Sequence, residues 1–284
     1  MLLENKDLAV CHYAAAFIDL LGQRDQLRGC ALLPDSLDDL RPLIRATIGP
    51  IKWLQDSFAD FYGALRATTR TAGTTEEYRK GLEELRKVEL KYQRFSDGLV
   101  MFVSLMGNPR PEPINGLYGL IASCGSICLL GLARETPIRG GADVAWGIEL
   151  NSNELYGCVV ANSYALESEI AQHPRIVLGE HIVRYLHTIQ ALSGSDILTQ
   201  YMRDLATVSL EMITKDTDGA WIVDYLGPGF RKYIAAKLDS STYQTAFSFV
   251  DKQIAFWKNV DNQKLLNRYL VLKQYFEKNR QHWM

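Results

Sequence analysis

The feature that most constrains the fold is a nearly continuous apolar run at residues 8–21, which contains one acidic residue, Asp19, and ends at Gly22. A run of this kind is typical of a strand that is buried on both faces. Burying a carboxylate in such a strand costs free energy unless a cation or hydrogen-bond donors compensate it. The sequence therefore predicts an internal strand whose single acid either caps the strand end or has a function.

A second β-type region at residues 91–103 is divided by Asp97-Gly98. Asp-Gly between two such runs is a strong hairpin signal, so Asp97 can simply be the first residue of the turn. It can also meet Asp19 where two strands end side by side. Paired carboxylates provide the hard oxygen ligands that two Mg²⁺ or Mn²⁺ ions take in phosphoryl-transfer sites. The spacing alone leaves both interpretations open.

Apolar residues at helical spacing mark much of the remaining chain. They predict a helix over residues 36–68, which Gly49-Pro50 should break or kink. A second, capped helix is predicted over residues 75–90. The apolar stretch at 116–133 includes four glycines and two serines, which favours a buried helix over a membrane span.

These patterns predict one domain of the α/β (α+β) class over residues 1–284, without a repeat or linker. Its core, about residues 8–226, is expected to be a mostly antiparallel sheet that opens with a βααβ unit and carries helices outside. Residues from about 230 to 284 have helical spacing, interrupted near 239–241, and form a C-terminal extension.

Composition limits the partners of the chain. A formal charge of −2 argues against nucleic-acid binding, which depends on clustered Lys and Arg. The five cysteines form no CxxC pair, and buried reduced thiols are typical of the cytosol. The N-terminal residues are too charged for a signal peptide. We expect a soluble, cytoplasmic protein with no membrane insertion.

Common catalytic patterns are missing from the sequence. It has neither a GxSxG nucleophile motif nor a P-loop. His181 and His187 share a predicted helix, but a separation of six residues does not place them on one face, which argues against zinc. Because the net charge is −2, any anionic substrate must be held by a local site or by metal ions.

Several segments resemble class III nucleotidyl cyclases. Residues 17–22 resemble the first metal-binding strand of that family, residues 95–100 its second metal-aspartate hairpin, and Tyr156-Gly157 the strand that completes the site. A diguanylate cyclase would instead need a Gly-Gly-Asp/Glu-Glu-Phe turn, which residues 95–99 lack. Other segments are similar to the pyrimidine cyclases of the Pycsar antiphage systems, namely residues 138–143, 166–171, 174–177 and 218–226.

The resemblance implies a particular chemistry. Asp19 and Asp97 would hold two Mg²⁺ or Mn²⁺ ions, with the Leu20 carbonyl as a further ligand. Backbone amides near Leu21, Gly22 and Gln23 would cradle a nucleoside triphosphate. The ribose 3′-hydroxyl would attack the α-phosphate in line and expel pyrophosphate.

The family also implies which residues read the base. These are Tyr92, Gln93 or Arg94 on the hairpin strand, and Glu154 on the strand before Tyr156-Gly157. Gln93 and Glu154 stand where adenylyl cyclases carry Lys and Asp, which disfavours ATP. The expected reaction converts UTP, or alternatively CTP, into its 3′,5′-cyclic monophosphate.

One departure from the family concerns the charge at the transition state. Adenylyl cyclases carry an Asn and an Arg on the helix after the Tyr-Gly strand, where this chain has Ala161 and Ala165. Asn162 can replace that Asn, and the charge can come from Arg139 or Arg175. The alternatives are a solvated Arg139 at a strand end and an Arg175 that pairs structurally with Glu167 or Glu169.

The two alanines also fit a catalytically inactive cyclase-like module that binds nucleotide or only dimerises. If the chain is an active cyclase, the family resemblance implies a homodimer in which both chains contribute residues to each site. The cyclic product would be read by a separate effector protein during phage infection.

Overall fold

The computed structural model describes residues 10–23, 36–67, 76, 88–95, 98–105, 114–151, 153–237 and 240–284. Their strands are β1 (Val10–Leu20), β2 (Lys91–Phe95), β3 (Gly98–Ser104), β4 (Ile138–Asn151), β5 (Glu154–Tyr156), β6 (Ile176–Leu178), β7 (Ile213–Lys215) and β8 (Trp221–Val223). Their longer helices are α1 (Leu37–Ala67), α2 (Ile114–Ala133), α3 (Cys158–Ala165), α4 (Glu180–Gln190), α5 (Ile197–Glu211), α6 (Pro228–Tyr233), α7 (Ser240–Asn259) and α8 (Gln263–Asn279). Most of the helix predicted over residues 75–90 lies outside the described residues, as does Asp97.

All eight described strands form one sheet in the order β2-β3-β1-β4-β6-β8-β7, with β5 paired to β4. Every pairing is antiparallel except that of β4 with β6. Helices flank this sheet, so the predicted mixed α/β fold with a mostly antiparallel sheet is confirmed.

Strand β1 is internal, as its apolar run predicts, with β3 on one side and β4 on the other. Its side chains alternate between the two faces of the sheet. Ala14, Ala16 and Ile18 belong to the main core, while Tyr13 and Ala15 belong to a smaller core beneath α3. Both faces of the strand are therefore covered, which explains why the run is apolar without interruption.

Helix α2 is the central helix of the main core, where it packs against α1 and α7. It is the one helix in the described ranges that is long and apolar enough to cross a membrane, but 83% of its apolar window is buried inside the protein. The prediction of a buried helix is confirmed.

Helix α1 continues through Gly49-Pro50, so of the predicted break or kink the break was wrong. Pro50 has no N–H to donate to the carbonyl of Ala46 four residues earlier. The buried Gln23 side chain donates to that carbonyl instead, at 3.2 Å. A tertiary hydrogen bond thus satisfies the carbonyl that proline leaves without its helical partner.

The C-terminal extension ends in a helical hairpin formed by α7 and α8. Asp261, in the loop between the two helices, has a positive φ of 52°, and Asn262 then caps α8 by accepting from the Leu265 amide at 3.1 Å. The sequence did not predict this second interruption. Because α7 packs on α2, the hairpin joins the main core rather than standing apart from it.

Candidate functional site

A cleft of about 920 Å³ opens where β1 ends. One side is formed by Asp19, Leu20, Leu21 and Gly22, at the end of β1 and the corner after it. The β2–β3 hairpin, the start of β4, the turn after α3 and the C-terminal hairpin contribute further lining residues. The cleft therefore joins parts of the chain that are far apart in the sequence.

Asp19 lies at the centre of the predicted site. Its backbone pairs with Arg139 of β4 on one side and with Gly98 of β3 on the other. Its side chain is 22% exposed, and its Oδ2 lies 3.3 Å from Nη2 of Arg139. Asp97 precedes Gly98 in the chain, but Asp97 itself is outside the described residues. Among the residues that are described, no group of three His, Cys, Asp or Glu could hold a metal ion.

Arg139 has a second carboxylate partner in the cleft. Its Nε lies 2.7 Å from Oε1 of Glu167, whose side chain is 4% exposed. Glu167 belongs to a π-helical turn, Leu166–Ile170, that continues α3. This turn approaches β4 closely at Gly141, where an added Cβ would lie 2.5 Å from the Cβ of Leu166 and 2.6 Å from the backbone nitrogen of Glu167. A glycine at position 141 is thus required to place Glu167 beside Arg139.

Aromatic side chains form the rim of the cleft next to Asp19. Phe17 packs against Phe95 with ring centroids 5.8 Å apart, and edge-on against Tyr164 at 5.2 Å. Phe95 and Tyr164 are both exposed and both line the cleft. Exposed aromatic faces beside charged groups are suited to a ligand with an aromatic ring.

The corner after β1 was predicted to cradle phosphates. Leu21 and Gly22 line the cleft, and Gly22 has a φ of +89° that a turn at this point requires. The Leu21 amide already donates to the Pro137 carbonyl at 3.0 Å, so binding a phosphate would require that bond to break. Gln23 uses its side chain to hold α1.

The residues predicted to read the base lie on β2 and β5, beyond the lining of the cleft. The guanidinium of Arg94 stacks over the Tyr92 ring, 5.2 Å from its centroid. The Oε1 atom of Gln93 is buried and has no hydrogen-bond donor in the described part of the chain. Glu154 is exposed at the start of β5. The structure does not bring these four residues together with Asp19 in one pocket.

Asn162 also lies outside the lining of the cleft. It donates to Oδ2 of the buried Asp143 at 2.8 Å, and the same oxygen is 2.9 Å from Nδ1 of His181. Its amide is therefore engaged within its own chain. The catalytic role predicted for Asn162 remains a prediction.

Arg175 lies in a buried ionic cluster. Its Nη1 donates to Asp216 at 2.5 Å and its Nη2 to Asp218 at 2.6 Å, and its side chain is 3% exposed. Burial alone would raise the pKa of Asp216, but hydrogen bonds from His173, the Thr217 amide and Arg175 lower it. The structural partners of Arg175 are thus these two aspartates rather than Glu167 or Glu169. Its engaged guanidinium favours the structural alternative over phosphate contact.

The C-terminal hairpin supplies cleft residues that the sequence interpretation missed. Trp257 of α7 and Lys264, Arg268 and Tyr269 of α8 all line the cleft. Lys264 and Arg268 are four residues apart, which places both on one helix face. That spacing is visible in the sequence, but it does not show which face of α8 meets the sheet.

Comparison with known proteins gives little further information. No family model matches the sequence, and no curated protein matches it. A solved structure of a class III adenylyl cyclase-like ATP-binding protein from Pseudomonas aeruginosa is similar over 70% of this chain and 41% of that chain, with 14% sequence identity and a TM-score of 0.39. This chain thus spans less than half the length of that protein, and similarity at this level establishes neither a family nor an activity.

Proposed function

We propose that this chain is a nucleotidyl cyclase that converts UTP into 3′,5′-cyclic UMP and pyrophosphate, with CTP as the alternative substrate. The observation that carries the proposal is the position of Asp19. Its carboxylate faces a cleft of about 920 Å³, and its backbone pairs with Gly98, the residue after Asp97. The cyclase-like segments around both aspartates support the same interpretation.

The described donors at this end of β1 are compatible with Mg²⁺ or Mn²⁺. Asp19 offers a partly exposed carboxylate and Leu20 a main-chain carbonyl, which are the hard oxygen ligands these ions prefer. In the proposal, Asp97 completes the ligand set. When bound, two such ions would neutralise the triphosphate and stabilise the attacking and leaving oxygens.

The reaction forms a bond between the ribose O3′ and the α-phosphorus and breaks the bond from the α-phosphorus to the bridging oxygen of pyrophosphate. The proton of the 3′-hydroxyl would pass to a water molecule in the cleft as this bond forms. Asp19, held beside Arg139, fixes the position of the reacting end of the nucleotide. Positioning and charge neutralisation account for most of the rate in phosphoryl transfer. The rim of Phe95 and Tyr164 would limit access of water to the cleft.

Pyrimidine choice and biological role are further parts of the proposal. The preference for a pyrimidine rests on the resemblance, in which Gln93 and Glu154 stand where adenylyl cyclases carry Lys and Asp. The Pycsar-like segments support a role as second-messenger synthase in antiphage defence, as a homodimer whose product acts on an effector.

The alternative is a module that binds nucleotide without turnover. Ala161 and Ala165 supply no charge, and Asn162 is engaged by Asp143. The two candidates differ in one observable, cyclic product.

Purified protein with Mn²⁺ and each of the four nucleoside triphosphates should form cyclic product and pyrophosphate, most with UTP. Asp19→Asn and Asp97→Ala should each lower the rate at least ~100-fold, as loss of a main charge-stabilising group does. Asp56→Asn, at an exposed ion pair on α1, is the matched control and should leave the rate unchanged. Binding without product from any nucleotide would favour the inactive module. Product that persists in Asp97→Ala would reject the metal assignment.

A further inference from the structure

One wall of the cleft is built by the C-terminal helical hairpin, and it presents two cations. Lys264 and Arg268 of α8 line the cleft next to Trp257 of α7. This part of α8 is fixed in place, because Tyr269 is buried and packs edge-on against Phe249 with ring centroids 6.3 Å apart. Burial raises the pKa of Tyr269 to about 12, so this ring stays neutral beside the cations. The hairpin is thus a rigid support for charge.

The other charged groups that line the cleft are paired. Arg139 lies 3.3 Å from Asp19 and 2.7 Å from Glu167. Glu135 accepts from Lys252 at 2.8 Å. Because Arg139 alone serves both Asp19 and Glu167, these groups together carry a net negative charge and do not attract an anion by themselves.

Lys264 and Arg268 differ from those groups. Neither has a carboxylate within ion-pair distance in the described ranges, and Arg268 donates to the neutral amide oxygen of Gln172 at 2.7 Å. Burial and repulsion by Arg139 both lower the pKa of Arg268. A polyanion bound between the guanidinium groups of Arg139 and Arg268 would relieve their repulsion and accept hydrogen bonds from both.

We propose that Lys264 and Arg268 bind the phosphate chain of the nucleotide, so that the C-terminal hairpin supplies positive charge to the cleft within one chain. The nucleotide part of this inference rests on the proposed function. The ligand class, a polyphosphate, follows from the charge balance of the cleft. The two cations also provide a source of charge that Ala161 and Ala165 do not.

Inorganic tripolyphosphate is the probe that separates this inference from the cyclase proposal. Titration calorimetry should give a dissociation constant roughly tenfold to hundredfold weaker in Arg268→Gln, the usual cost of a lost charge-assisted hydrogen bond. Lys264→Gln should show a smaller loss, since Lys264 is exposed. Lys258→Gln, on the same hairpin but outside the lining, is the matched control and should bind as the wild type does.

Two further measurements distinguish binding from folding. Arg268 is partly exposed and its hydrogen bond to Gln172 lies at the surface, so Arg268→Gln should melt within a few degrees of the wild type. Arg268→Lys should bind more tightly than Arg268→Gln because it keeps the charge, and less tightly than the wild type because it loses the guanidinium fork. The inference is overturned by wild-type protein that does not bind tripolyphosphate, by equal binding in Arg268→Gln, or by equal weakening in Lys258→Gln. Absence of cyclic product with Arg268-dependent tripolyphosphate binding would reject the cyclase proposal alone. Turnover of UTP by Arg268→Gln at the wild-type rate and KM would reject this inference alone.

Discussion

Arg139 lies near the start of β4, and Arg175 immediately precedes β6, the strand that pairs with β4 in parallel. The two arginines nevertheless differ in their exposure to solvent. The Gly140 amide donates to the Arg175 carbonyl at 2.9 Å, so the two backbones are in direct contact. Each arginine has two carboxylate partners. The Arg139 side chain is 21% exposed in the cleft, whereas that of Arg175 is 3% exposed. Counting charges does not separate the two clusters; access of solvent does.

This difference indicates separate roles. Both Nη atoms of the buried Arg175 are engaged by carboxylates, and its removal would leave the buried Asp216 without its guanidinium partner. An arginine at the edge of a cleft can exchange a partly exposed carboxylate for a phosphate at little cost, because water screens the pair with Asp19. The Arg175 cluster joins the start of β6 to the turn between β7 and β8, while the Arg139 cluster faces the space where substrate would bind.

The largest expected effect is on stability, in the buried cluster. Arg175→Met should lower the free energy of unfolding by about 3–5 kcal/mol, because Asp216 and Asp218 lose the guanidinium that compensates them. Urea denaturation measures this loss. Arg184→Met on α4, an exposed position, should stay within about 0.5 kcal/mol of the wild type. A loss below about 1 kcal/mol in Arg175→Met would break the distinction between the clusters.

Acid should weaken the same cluster by an intermediate amount. The pKa of Asp216 is lowered, so its contribution is complete above the unfolded value near about 4 and is lost as the pH falls towards the folded value. The gap in unfolding free energy between wild type and Asp216→Asn should therefore shrink by roughly 2 kcal/mol from pH 7 to about pH 2.5. The exposed Asp204→Asn should show no such change. A gap that is constant with pH would contradict the role given to Asp216.

The sequence predicted what depends on local pattern, and it failed where distant contacts decide. The apolar runs predicted β1 and the buried α2, because alternation and burial follow from neighbouring residues. The partners of Arg175 lie more than forty residues away, at Asp216 and Asp218, and no spacing in the sequence indicates them. The break predicted at Pro50 was wrong for the same reason, since Gln23 compensates it from outside the helix.

The candidate site divides in the same way. Asp19 was identified because an acid in an apolar strand is unusual. Its pairing with Arg139 depends on strand register, and the wall formed by Lys264 and Arg268 depends on how α8 packs. A helical pattern shows which residues share a face but not what that face meets.

The smallest expected change in stability belongs to the cleft cluster, and it would sharpen the comparison most. Arg139→Gln should cost about 1 kcal/mol in unfolding free energy, because solvent reaches the pair with Asp19 and the glutamine amide can still donate to Glu167. Cyclase turnover, measured on the same samples, should nevertheless fall at least ~10-fold, since Asp19 loses the group that positions it. The Arg175→Met sample should lose turnover only in proportion to its unfolded fraction. If Arg139→Gln instead costs as much stability as Arg175→Met while the folded protein keeps its turnover, both arginines are structural, and the cleft must draw its charge from the C-terminal hairpin alone.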